Sequence, residues 1–188
     1  CGVFRIEEPM DINAVRANAN LARTESKKRL FNQIVFYDDA LKARRVEERE
    51  LEYDAEEALK NGEFEVYCQP KFDVDSEQII GAEALVRWKH SKRGMLSPGV
   101  FIPLFEANGF VIELDMYVLN KVCELIAKWL EAGLEPLCVS VNLSRTHLYE
   151  QDLVQKLVDT VEKYNIPPEY IEFELTETVL FDELGQLI

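Results

Sequence analysis

From residue 63 onward the chain alternates short β-rich runs with longer segments of helical periodicity, and this alternation limits its fold more than any other feature. The strand-like runs are Glu65–Lys71, Gln78–Trp88, Leu137–Leu143 and Tyr170–Thr176. Asp73-Val74-Asp75-Ser76 supplies turn chemistry between the first two. Ser97 and Pro98 predict a helix start, Ser as N-cap and Pro at the first helical position, with Gly109 closing the helix. Apolar residues at 118, 119, 122, 123, 126, 129 and 130 predict a second helix, ended by Gly133. Leu153, Val154, Leu157, Val158, Val161 and Tyr164 predict a third, broken by Pro167-Pro168. Connections this long imply parallel strands. The predicted class is α/β, a partial (β/α)8-type barrel, since a complete one needs about 250 residues.

The preceding residues read differently. Val3-Phe4-Arg5-Ile6 is a short apolar run, and Asp11 caps a predicted helix reaching about Lys28. Ile34-Val35-Phe36-Tyr37 is strand-like. Between Asp38 and Asn61 the chain is highly charged and lacks Pro and Gly, the pattern of a solvated helical connector. The predicted segments are 1–38, 39–61 and 62–188.

A net charge of −14 argues against non-specific nucleic-acid binding, which needs Lys and Arg, so no DNA or RNA duplex is expected as a partner. Cys1, Cys68, Cys123 and Cys138 form no C-x-x-C pair, and His90 and His147 are the only histidines, a poor basis for a zinc site. Single cysteines in apolar runs fit core positions in a reducing compartment, so a cytoplasmic location is expected. There is no signal peptide and no apolar run long enough to cross a membrane, while membrane anchoring of a longer protein stays open. His90, within Lys89-His90-Ser91-Lys92-Arg93-Gly94, reads as part of a solvated loop. Trp88 and Trp129 read as packing residues.

Alternate side chains of a strand share a face. That rule aligns Tyr67, Gln69 and Lys71 on the first strand, and Glu83, Leu85 and Arg87 on the second. It aligns Ser140 and Asn142 on the third, and Glu172, Glu174 and Thr176 on the fourth. Four strands with one polar face each predict a shared polar interior at the end where α/β barrels place their active sites. Carboxylate and amide oxygens suit hard cations such as Mg²⁺ or Mn²⁺, with Glu83, Asn142 and Glu174 as candidate ligands. Gln69 and Arg87 are candidate substrate contacts, Arg87 offering a two-pronged fork to a phosphate. Each residue also has a plainer reading. Glu83 and Arg87 could form an ion pair. Asn142 could cap a turn or helix. Glu174 and Glu177 could lie on a solvated strand end, and Gln69-Pro70 could simply end a strand.

Residues 62–188 carry Tyr67-Cys68-Gln69-Pro70-Lys71, Glu83-Ala84-Leu85-Val86-Arg87-Trp88, Ser97-Pro98 with Phe101-Ile102-Pro103, Ser140-Val141-Asn142-Leu143-Ser144 and Glu174-Leu175-Thr176-Glu177. In this order and spacing they resemble the N-terminal half of an EAL domain. The resemblance implies a modified α/β barrel whose first strand runs antiparallel to the others. It implies a phosphodiesterase that hydrolyses cyclic di-GMP to linear pGpG with Mg²⁺ or Mn²⁺, two ions in the complete domain. By motif, Glu83, Asn142 and Glu174 match metal ligands, and Glu83, Glu174 and Glu177 match the catalytic glutamates, Glu177 anchoring an active-site loop. Gln69, Leu85 and Arg87 match substrate contacts. Gly2-Val3-Phe4-Arg5-Ile6, Asn18-Ala19-Asn20-Leu21-Ala22-Arg23 and Val35-Phe36-Tyr37-Asp38 resemble the C-terminal end of a GGDEF domain, without its glycine-rich signature.

The family's Asp-Asp-Phe-Gly-Thr-Gly segment and its later lysine, glutamate and glutamine do not occur before Ile188. The expectation is therefore a phosphodiesterase as the whole protein, with this chain inactive by itself. Other expected partners are sensory domains and a second copy, through the EAL portion or the linker helix. The alternative is a non-catalytic module that binds cyclic di-GMP and signals through partners. A third reading, a purely structural dimerisation element built on 38–61, is weakened by apolar positions too sparse for a heptad seam.

Overall fold

The computed structural model of the chain describes residues 1–27 and 33–175. Thr176 and Glu177 lie outside the described residues. The chain divides into two units, Cys1–Asp54 and Ala55–Ile188.

In the first unit, β1 (Gly2–Val3) pairs in parallel with β2 (Val35–Phe36). Helix α1 (Ile12–Lys27) is capped where Asp11 Oδ2 accepts from the backbone N–H groups of Asn13 and Ala14, at 3.1 and 3.3 Å. The charged run folds as one helix, α2 (Asp39–Lys60), and the division between the units falls within it. Its start is capped by Asp38 Oδ1, 2.6 Å from the Leu41 N–H. Ala22, Val35 and Leu41 form a small core with Tyr37 packed against it.

The second unit begins with β3 (Phe64–Phe72) and β4 (Ile79–His90), an antiparallel pair. Asp73 Oδ1 closes the turn between them by accepting from the Ser76 N–H and hydroxyl, at 2.8 and 2.7 Å. Next come β5 (Gly94–Leu96), α3 (Pro98–Asn108), α4 (Val111–Glu131), β6 (Cys138–Leu143), α5 (Leu153–Lys163) and β7 (Ile171–Leu175). The sheet order is β3-β4-β6-β7, with β5 beside β4. The β4–β6 and β6–β7 pairs are parallel, as the long helical connections require. The reversed first strand implied by the resemblance is present as β3. Among the described residues the strands form no closed barrel.

Helix α4 uses the predicted stripe. Val118, Leu119, Val122, Cys123 and Ile126 pack with Ala84, Val139, Val141 and Leu143 of the sheet, and Leu157 and Ile166 complete this core. Each such side chain contributes about 1.5–3 kcal/mol by leaving water. Burial pushes the Cys123 thiol up to about 11. Gly109 ends α3 at φ 85°, a left-handed conformation that favours glycine.

A second cluster gathers Phe64, Trp88, Phe101 and Phe105, with Phe64 and Trp88 ring centres 4.9 Å apart. Trp88 is fully buried, a packing residue as expected. The expectation for His90 is overturned. The segment after Trp88 is a hairpin, pairing Trp88 with Leu96 and His90 with Gly94. His90 is buried, its ring stacks on Trp88 at 4.9 Å, and its Nδ1 accepts from the Lys92 N–H at 3.1 Å. The flat imidazole covers the indole, which no solvated loop would do. Among the described residues no helix is long and apolar enough to cross a membrane.

Candidate functional site

Strand register decides which polar side chains meet. Gln69 stands opposite Glu83 across the β3–β4 pair. Glu83 is in register with Ser140 of β6, Ser140 with Glu172 of β7, and Asn142 with Glu174. Residues so paired share a face, so Gln69, Lys71, Glu83, Ser140, Asn142, Glu172 and Glu174 lie on the side of the sheet opposite Val139, Val141 and Leu143. Those three valine and leucine side chains are buried against α4 and α5. The hydrophobic side fixes the register, and the register delivers the polar side.

Two contacts organise that face. Asn142 Nδ2 donates to Glu83 Oε1 at 2.7 Å. Lys71 Nζ donates to Glu174 Oε1 at 2.6 Å and lies 3.7 Å from Glu172 Oε2. The Lys71 ammonium, with a smaller effect from the Ser140 hydroxyl, holds the Glu174 carboxyl below the usual carboxylate range. The Glu174 hydrogen bond in turn raises the Lys71 value, with further attraction from Glu172 and Glu83. Glu83, Asn142 and Glu174 thus stand on one face of adjacent strands and carry carboxylate and amide oxygens, the donor type a hard divalent cation takes, although among the described residues no three acidic, histidine or cysteine side chains gather as a metal cage.

Farther along β4, Leu85 lines a cleft of about 260 Å³ together with Asn142, Glu106 and Asp115. Arg87 is half-buried, and its Nη1 donates to the Val86 carbonyl at 2.9 Å. Among the described residues Glu83 and Arg87 form no ion pair. Asn142 does not act as a cap either. That role falls to Ser144, whose side chain accepts from the Thr146 N–H at 3.3 Å. Glu174 is half-buried and ion-paired rather than left to solvent. Glu177 lies outside the described residues.

The sequence reading passed over a buried charge cluster behind the cleft. His147 is fully buried in a 3-10 turn, Arg145–Tyr149. Its Nε2 lies 3.2 Å from Asp115 Oδ2 and its Nδ1 2.9 Å from Glu150 Oε2. Lys156 Nζ lies 2.9 Å from Glu150 Oε1. Asp115 also accepts from the Ser144 N–H at 2.8 Å, and the Ser144 hydroxyl donates to Glu106 Oε1 at 3.0 Å. The Asp115 carboxylate, then Glu150, raises the His147 value against the opposing effect of burial. The readable signal was Asp115 itself, an acid inside the apolar stripe 111, 114, 118 of α4.

The EAL domain family matches this chain over residues 52–188. Cyclic di-GMP phosphodiesterase NbdA of Pseudomonas aeruginosa is 33% identical over 171 residues, covering 91% of this chain and 22% of that protein. The bifunctional diguanylate cyclase/cyclic di-GMP phosphodiesterase MucR of the same organism is 29% identical over 161 residues, covering 86% of this chain and 24% of that protein. The chain thus spans about a quarter of the length of these relatives. A solved structure described as the PaMucR phosphodiesterase in complex with c-di-GMP superposes with a TM-score of 0.65 at 30% identity, covering 73% of this chain and 59% of that one.

Proposed function

The chain belongs to the EAL-domain family, and on that premise we propose that it forms part of a divalent-cation-dependent phosphodiesterase that hydrolyses cyclic di-GMP to pGpG. The observation that carries this reading is that Glu83, Asn142 and Glu174 share one polar face on three adjacent parallel strands, Asn142 in register with Glu174 and hydrogen-bonded diagonally to Glu83. Residues 62–188 are read as the first half of a (β/α)8-type barrel, 39–61 as a charged helical linker, and 1–38 as the C-terminal end of a GGDEF domain. The matched MucR carries both activities in its name, diguanylate cyclase and cyclic di-GMP phosphodiesterase. A cytoplasmic location, sensory domains elsewhere in the protein and pairing of two copies belong to the same proposal.

Glu83, Asn142 and Glu174 fit Mg²⁺ or Mn²⁺ because their carboxylate and amide oxygens are hard donors carried on one face of adjacent strands, with the Asn142 side chain already held beside Glu83 by its Nδ2 hydrogen bond at 2.7 Å. Such ions supply Lewis acidity and charge neutralisation to in-line displacement at phosphorus. The chain's own groups bind and orient. Gln69, opposite Glu83, and Leu85, on the cleft, contact the dinucleotide. Arg87, its side chain steadied by the Val86 carbonyl, presents guanidinium N–H groups to non-bridging phosphate oxygens. Glu177 serves the catalytic face by anchoring an active-site loop. In the reaction a water oxygen bonds to phosphorus as one P–O3′ bond breaks, leaving a 5′-phosphate and a free 3′-hydroxyl.

The test is chromatographic detection of pGpG from cyclic di-GMP and the full-length protein, with Mn²⁺ or Mg²⁺ and with chelator. Metal-dependent product, lost in Glu83→Ala and Glu174→Ala, supports the enzyme. Tight binding of cyclic di-GMP without pGpG replaces it with the non-catalytic module. Neither binding nor product removes cyclic di-GMP as the ligand.

A further inference from the structure

In sequence Lys71 is only a neighbour of Gln69 on its strand, yet its side chain reaches across the polar face. It starts on β3 and ends on Glu174 of β7, passing over β4 and β6, which lie between them in the sheet. Its ammonium is 2.6 Å from Glu174 and 3.7 Å from Glu172, and it attracts Glu83 as well. Three carboxylates on one face of adjacent strands repel one another unless a cation stands among them. Lys71 brings that cation on a flexible stem with a rotatable head, so it can let go without moving the backbone.

We propose that Lys71 is the resident counter-cation of this site, holding Glu174 in place before metal arrives and yielding it to the divalent ion on loading. The inference rests on the reading of Glu83, Asn142 and Glu174 as metal ligands. An ion that takes Glu174 must displace or share the ammonium and is repelled by it. Lys71 therefore makes the metal-free face stable and lowers its affinity for the ion, acting as a positioning residue that sets how readily metal exchanges.

The test measures Mn²⁺ binding to full-length protein by loss of the free-ion electron paramagnetic resonance signal, with melting curves in chelator and in Mn²⁺. Lys71→Met is expected to bind Mn²⁺ about two- to fivefold more tightly, since a half-exposed pair is worth up to about 1 kcal/mol and tenfold corresponds to about 1.4. It is expected to melt lower than wild type in chelator and to regain most of the difference in Mn²⁺. Lys71→Arg, which keeps the charge, is expected to bind as wild type. Lys71→Gln repeats the comparison with a polar side chain. Unchanged or weaker Mn²⁺ binding in the Met and Gln variants, while Glu174→Gln loses binding, overturns the role of Lys71 and leaves the metal site standing. Wild type that binds no Mn²⁺, or Glu174→Gln that binds as wild type, overturns the metal site and the role of Lys71 with it.

Discussion

Asn142 Nδ2 donates to Glu83 Oε1 at 2.7 Å, although the strand register sets Ser140, not Asn142, beside Glu83. The bond is a diagonal brace between β4 and the end of β6. Asn142→Ala removes the donor and is expected to cost about 1 kcal/mol of stability. It is expected to lower metal-dependent hydrolysis by about 10²-fold, because even residues that only orient metal ligands are worth 10–100-fold. Asn142→Asp sets two carboxylates against each other, so its melting temperature is expected to fall in chelator and recover in Mn²⁺. Paired melting and turnover measurements check both.

The cluster behind the cleft predicts a pH window. The ordinary imidazole value is 6.5 and that of folded His147 lies above it. The stabilisation from His147 is therefore complete below pH 6.5 and fades as pH rises through the folded value. Glu150 is held below its ordinary 4.5 by Lys156 first and by His147. Its contribution is present above that value and is lost as pH falls through the folded one. Denaturant midpoints measured across pH should be highest between these limits, and His147→Gln should flatten the alkaline arm. His147→Ala, which strands buried Asp115, should lose about 3 kcal/mol.

Gly81 is fixed by its neighbour strand. A Cβ built there would stand 2.8 Å from the Cys138 carbonyl oxygen, inside ordinary contact. Gly81 and Cys138 are register partners two residues before Glu83 and Ser140. Gly81→Ala should push β4 and β6 apart, cost about 1–3 kcal/mol as overpacking does, and weaken Mn²⁺ binding through Glu83. Equilibrium unfolding and a metal titration would show both losses or neither.

Arg87 tests the substrate side. Its guanidinium is already tied to the Val86 carbonyl, which leaves the other N–H groups for a phosphate. Arg87→Lys keeps the charge but not the fork. We expect about a tenfold rise in KM for cyclic di-GMP with Mn²⁺ affinity unchanged, read from initial rates and the same titration.

The parts of the fold that were legible in the sequence were those with long, strict patterns. The α4 stripe and the helix-facing Val139, Val141 and Leu143 follow from periodicity, because burial acts on every repeat, and the Ser97-Pro98 start of α3 follows from the preference of proline for the first helical position. The small hairpin through His90 was not legible: three residues of β5 carry no periodicity, and a histidine among lysines looks solvated until the indole it covers is known. His147 was invisible for a related reason, since its carboxylate partners come from α4 and from the far end of its own turn. For the candidate site, the shared face of Gln69, Glu83, Asn142 and Glu174 could be drawn from alternation alone. The reach of Lys71 could not, because a flexible side chain crossing two strands leaves no mark in the spacing.

The reversed direction of β3 also has a practical use. It sends the Asp73–Gln78 turn to the end of the sheet where β4 begins. Val74 at its tip is 92% exposed, and the turn is closed by its own Asp73 and Ser76. A fluorophore or short peptide tag placed at Val74 would ride on a self-contained loop, giving an optical handle on the protein in solution.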